Sequence, residues 1–316
     1  MWPILMLAMR QRARQRALTI RKTELEGKEV LCGFWFEWEP RVELTAIPNM
    51  YNMVCVAFIE ENHIPTFSPK FHPDTYFIEG IKKLRGEGRD VLISVGGASA
   101  HIALKEADKP AFKAELINIV DKYGFSGVDL DLEGDSVKAA DNQTVIPAVL
   151  REIKEEYRAR GKDFIITMAP EFSDLRGHDA RYKPYIEDLE GYYDLIFPQY
   201  YNQGEDGIWS ERHRIFLSQN DDANKAWFLE ELTRAIVTGT QDFMRIPADK
   251  FAIGLPASPD AALNGYVKNP ADVAQALARL SEEGFDIRGL MTWSINHDAA
   301  NQFEFARRYA PIVFGI

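Results

Sequence analysis

From position 30 onward the chain repeats one alternation, a short run of apolar, β-rich residues followed by a longer segment with apolar positions at helical spacing. The short runs are 30–36, 53–59, 90–95, 126–132, 164–169, 194–199, 251–255 and 288–293. Segments 74–86, 110–123, 145–160, 225–238 and 270–283 between them read as helices. Strand-then-helix units in one uninterrupted series predict a (β/α)8 TIM barrel, an α/β fold, rather than an open sheet. Chemistry in such a barrel belongs at the C-terminal ends of the strands and in the loops that follow them.

One run departs from apolar uniformity. In Tyr123-Gly124-Phe125-Ser126-Gly127-Val128-Asp129-Leu130-Asp131-Leu132-Glu133, three carboxylates alternate with aliphatic residues. A strand there points Asp129, Asp131 and Glu133 to one face and Val128, Leu130 and Leu132 to the other. Successive carboxylates on that face stand roughly 6 to 7 Å apart, close enough to raise one another's pKa and share a proton. An edge strand with a solvated polar face gives the same alternation. The aliphatic opposite face and the tight Gly-containing entry favour burial instead, and buried acids point to acid–base chemistry.

Composition narrows the remaining choices. With 316 residues, 46% of them hydrophobic, and no Pro/Gly/Ser-rich linker, a single domain is expected over residues 28–316. A net charge of −11 argues against nucleic-acid binding and leaves a neutral polymer open as partner. Residues 1–27 stand apart, with an apolar start and then Arg10, Arg12, Arg14, Arg16, Arg21 and Lys22 before the first acid. That order reverses a secretory signal, and the apolar stretch is too short to span a bilayer, so this leader is expected outside the fold. Cys32 and Cys55 fall in strand-like runs and read as buried thiols, with a single bridge as the alternative. The six His residues are scattered, so neither a metal nor a cofactor is expected. A divalent-ion site on the three acids would draw all its ligands from one strand, which is poor geometry for a barrel mouth.

The segment from Ser126 to Glu133 resembles the D-G-x-D-x-D-x-E signature of family 18 glycoside hydrolases, the chitinases and their relatives, with Ser126 in place of the first Asp. Further segments carry the same likeness. Ser94-Val95-Gly96-Gly97 is similar to the family's S-x-G-G segment beside the bound sugar. The fifth run ends in Thr167-Met168-Ala169-Pro170-Glu171, the sixth in Gln199-Tyr200-Tyr201-Asn202, and the last in Met291-Thr292-Trp293. The resemblance is nearest to bacterial chitinases of the D type and leaves no room for the α+β insertion that deepens the cleft in some members.

The resemblance implies a (β/α)8 barrel and hydrolysis of β-1,4 linkages in chitin or N-acetylglucosamine oligomers. It further implies retaining catalysis in which the substrate's own N-acetyl group attacks the anomeric carbon. Glu133 is then the acid–base, Asp131 the partner of the acetamide N–H, Tyr201 the group orienting its carbonyl, and Asp129 the deeper carboxyl sharing a proton. Gln199, Asn202, Trp293, Met168, Ser94, Gly96, Gly97 and Glu171 are expected around the sugar. Trp35 joins them as part of an aromatic cluster at the end of the first strand, although a buried packing role fits it equally. Ser126 is expected to hydrogen-bond Asp129 and alter proton sharing along the row, and His297 stands where many relatives have Trp. Related members act on N-glycans or peptidoglycan as endo-N-acetylglucosaminidases, and non-catalytic chitin-binding lectins share the fold but lack the acid Glu. Action outside the cell is expected from the family, with the cytoplasm as the alternative in the absence of a recognisable signal; no membrane insertion is expected.

Overall fold

A computed structural model describes Leu25 and residues 27–39, 41–60, 63–178 and 180–316. Apart from Leu25 and Gly27, the basic leader lies outside the described residues.

Eight parallel strands form the centre: β1 (Val30–Phe36), β2 (Met53–Ile59), β3 (Asp90–Gly97), β4 (Gly127–Leu132), β5 (Ile165–Met168), β6 (Leu195–Ile196), β9 (Ala252–Pro256) and β10 (Gly289–Trp293). Their hydrogen-bonded order is β6-β5-β4-β3-β2-β1-β10-β9. The ring closes where β6 meets β9, through bridges from Ile196 to Phe251 and from Gln199 to Gly254. There the Gly254 N–H donates to the Pro198 carbonyl at 2.9 Å and the Tyr200 N–H to the Gly254 carbonyl at 3.0 Å. The predicted (β/α)8 barrel is the observed architecture.

Around the strands lie α1 (Asp74–Gly86), α2 (Lys109–Tyr123), α3 (Asn142–Ala159), α4 (Lys183–Asp188), α5 (Lys225–Thr238), α6 (Pro270–Glu282), α7 (Ile295–Ala300) and α8 (Glu304–Phe314). Their ends carry ordinary signals. Pro110 occupies the first turn of α2 and left-handed Gly124 ends it, while Asn269 caps α6 and Ser294 caps α7 through side-chain oxygens. Strand alternation sorts the apolar residues into two layers. Leu31, Trp35, Val54, Ile93, Val128, Leu130, Ile166 and Met168 face the helices, whereas Cys32, Phe34, Phe36, Cys55, Leu92, Ala169 and Met291 fill the barrel interior.

Residues 257–269, between β9 and α6, hold no helix or strand, so no α+β insertion stands there. A two-stranded antiparallel hairpin, β7 (Gly207–Ser210) with β8 (Ile215–Ser218), follows β6 and packs on α5. No described helix is long and apolar enough to cross a membrane.

Candidate active site

The acidic row stands on β4 as its alternation predicts. Asp129 is fully buried, Asp131 is 3% exposed at the barrel mouth, and Glu133 follows the last strand residue in a half-buried position. β3 holds this strand closely, with Gly96 paired to Asp131 and Gly97 to Leu132. Gly96 has φ +126°, and a Cβ there would lie 2.1 Å from the Asp131 carbonyl oxygen. At Gly97, φ +94°, a Cβ would meet the Phe58 ring at 2.8 Å. Both glycines are required by close approach, one of the acidic strand and the other of an aromatic wall.

Burial sets the electrostatics of the row. It pushes the Asp129 carboxyl up to about 6, against hydrogen bonds to its two oxygens from Thr167 Oγ1 at 2.5 Å and Ser94 Oγ at 2.7 Å. Asp131 is raised well above the carboxylate range, by burial first and then by the neighbouring charges of Glu133 and Asp129. Glu133 is also raised by burial, and Gln199 moderates the shift. The Gln199 amide donates to Asp131 Oδ1 at 2.8 Å and Glu133 Oε1 at 3.1 Å, and also to the Ala169 carbonyl at 3.0 Å. Two carboxyls tied to one amide in a desolvated site favour a shared proton.

Above the row opens a cleft of about 200 Å³ lined by Asp131, Glu133, Glu171, Gln199, Tyr201, Asn202 and Trp293, with Trp38, Phe58, Glu60, Ala98 and Ser99 on its other sides. Trp293 stacks on Phe58 at 5.8 Å and on Phe36 at 5.4 Å. Burial first, and then the charges of Asp131 and Glu133, hold the Tyr201 phenol well above its usual value. Such an arrangement offers an apolar ring floor beside a proton donor, a second carboxyl and a phenol.

The family model for "Glycosyl hydrolases family 18" matches residues 30–280. The chain belongs to this family. A protein named chitinase from Enterococcus faecalis is 43% identical over 312 residues, 92% of this chain and 89% of the relative. Chitinase D of Niallia circulans is 29% identical over 92% of this chain and 62% of its own length. Among solved structures, a family GH18 chitinase from Chromobacterium violaceum aligns with a TM-score of 0.78 at 25% identity, covering 91% of this chain and 84% of that one.

In this family 18 glycoside hydrolase, several expected sugar contacts lie elsewhere. Trp35 is fully buried on the helix side of β1, donating its indole N–H to the Val42 carbonyl at 2.9 Å and packing on Phe77. Alternation turns Phe34 and Phe36 inward in its place. Met168 likewise faces the helices, because Thr167 and Ala169 take the inward positions of β5 and its end. Ser94 is fully buried and reaches Asp129 rather than the cleft. Ser126 lies at the opposite end of β4, where its hydroxyl accepts the Val91 N–H at 3.2 Å; the hydroxyls on Asp129 come from Ser94 and Thr167.

Glu171 is in the cleft, with Arg181 at 3.1 Å on one oxygen and the Gln203 amide at 2.9 Å on the other. Asn202, at φ 60°, lies at the exposed rim and accepts the Leu263 N–H at 2.9 Å. His297 stands edge-on to Phe36 at 5.9 Å and 6.5 Å from Trp293, its imidazole lowered by burial. Phe58, Glu60, Ser99 and Thr167 were not evident as site residues in the sequence. Of these, Thr167 carried a signal, since it is the polar position in an apolar strand neighbouring β4.

Proposed function

We propose that this protein is a chitinase, hydrolysing β-1,4 linkages between N-acetylglucosamine units with retention through participation of the substrate's acetamide, and that residues 28–316 are its single catalytic domain. The observation that carries the reading is the Asp131–Glu133 pair, raised by burial and bridged by Gln199 beside Tyr201 and Trp293. The names of the relatives support the same substrate.

In the first step Glu133, whose carboxyl is raised by desolvation, gives its proton to the glycosidic oxygen. The acetamide oxygen of the sugar over Trp293 attacks its own anomeric carbon as the C–O bond breaks, leaving a cyclic oxazolinium ion. Asp131 accepts from the acetamide N–H and balances its growing positive charge, while the Tyr201 hydroxyl donates to the acetamide oxygen and fixes its line of attack. In the second step Glu133, now a carboxylate, takes a proton from water. The oxygen adds to the anomeric carbon, the ring opens and the acetamide is restored. Asp129, held by Ser94 and Thr167, buttresses Asp131 from below. Because the polymer is insoluble, action outside the cell is part of this reading.

Incubating a short N-acetylglucosamine oligomer with the protein and with Glu133→Gln tests it. The parent is expected to yield shorter oligomers and the variant to lose at least about 100-fold in rate. No cleavage by the parent, or an undiminished rate in the variant, would overturn it.

A further inference from the structure

The cleft does not end at Trp293. Trp38, Phe58 and Glu60 also line a second hollow of about 320 Å³, whose far side holds Ser68, Lys70 and Phe71. Phe71 is 62% exposed, an unusual state for a large apolar ring in an ordered loop. Its position is built. Glu37, directly after β1 and only 8% exposed, accepts the N–H groups of three consecutive residues, Lys70 at 2.6 Å and Phe71 and His72 at 3.2 Å each. A buried carboxylate satisfied by three backbone donors is a strong local clamp. It fixes the backbone of the loop that carries the exposed Phe71 ring.

A run of rings joins this clamp to the catalytic cleft. Trp38 stacks on Phe36 at 4.3 Å with 10° between planes and on Phe58 at 6.3 Å, and Phe58 stacks on Trp293 at 5.8 Å with 12° between planes. In strand order the β1–β2 side, which carries Trp38 and Phe71, lies across the barrel from the β5–β6 side, which carries Glu171 and Gln203. A linear sugar chain laid across the mouth therefore leaves the acidic row on one side over these rings. Exposed aromatic faces suit the apolar faces of pyranose rings, and Ser68, Lys70 and Glu60 place polar groups beside them for hydroxyl and acetamide edges.

We propose that Phe71, positioned by Glu37, is the platform of an additional sugar subsite that binds an N-acetylglucosamine unit of the same chain beyond the one over Trp293. The inference rests on the proposed chitinase reading and adds a preference for longer oligomers. Phe71 contributes binding remote from the reacting bond, so its loss acts on KM for chains long enough to reach it.

The test compares a hexamer and a trimer of N-acetylglucosamine with the parent, Phe71→Ala, Phe71→Trp and Glu37→Gln. Phe71→Ala is expected to raise KM for the hexamer about three- to tenfold with kcat and trimer kinetics unchanged, and Phe71→Trp to retain the parent's preference. Glu37→Gln moves KM for the hexamer in the same direction, and adding it to Phe71→Ala changes nothing further, because it acts through that ring. An equal effect of Phe71→Ala on both oligomers, or none on either, would overturn the subsite. If the parent cleaves neither oligomer, the chitinase reading fails and calorimetric binding decides the subsite. Selective loss of hexamer affinity in Phe71→Ala then supports it, and equal affinities refute it.

Discussion

Asp129 is the residue whose cost and use are easiest to separate. Its carboxyl is fully buried and its pKa rises from 3.8 to about 6. Well below the ordinary carboxylate value it is neutral in folded and unfolded chains alike and its ionisation costs nothing. Between that value and about 6 the unfolded chain has released the proton while the fold retains it, so stability falls as pH rises. Above about 6 the folded protein bears the whole cost, about 3 kcal/mol. Asp129→Asn keeps the shape and leaves Ser94 and Thr167 an amide to bond. It is expected to raise stability by up to about 3 kcal/mol near pH 8, with the gain shrinking towards pH 4, while turnover falls. Chemical denaturation at both pH values checks it; a variant less stable than the parent at both would contradict the assignment. The acidic row was legible because charged positions give the alternation a phase. Trp35 and Met168 were misplaced because β1 (VLCGFWF) and β5 (IITM) are apolar on both faces or nearly so, and such strands carry little phase. Ser126 stands three residues before Asp129, an odd separation that puts the two on opposite faces of a strand.

Among the elements, β3 and β4 form the unit that holds the chemistry in place. The bounds of β1 and β2 were readable to the residue, and β3 extends two residues further, through Gly96 and Gly97. That extension was hidden because a Gly pair reads as a turn, whereas here it is strand brought against the Asp131 backbone. Gly96→Ala combines a positive φ with a 2.1 Å approach to backbone that cannot move aside. It is expected to cost more than about 3 kcal/mol of stability and to displace Asp131. Denaturant midpoints of parent and variant measure this; a loss under about 1 kcal/mol would show that the two strands yield. The β7–β8 hairpin escaped the sequence reading because its two strands are four residues each and lie between two elements of the barrel repeat.

At the scale of the whole molecule, the eightfold repeat of strand and helix brings residues far apart in sequence to one mouth: Asp131 and Glu133 from β4, Gln199 and Tyr201 from the end of β6, and Trp293 from β10. Without an insertion after β9 the cleft stays open at its edges, which suits a linear polymer crossing the barrel. No single segment could reveal which side chains converge, because convergence depends on closure between β6 and β9, and that rests on bridges around a two-residue strand. In the proposed mechanism this mouth lends the reaction a proton and a carboxylate partner while the nucleophile belongs to the substrate. The most direct measurement compares cleavage of an N-acetylglucosamine tetramer with that of the same tetramer fully deacetylated. Cleavage of the acetylated oligomer, with the deacetylated one slower by at least about 100-fold, is the predicted result. Comparable rates on the two would mean that the acetamide is not the nucleophile and that water or a protein carboxylate attacks the sugar instead, which contradicts substrate assistance.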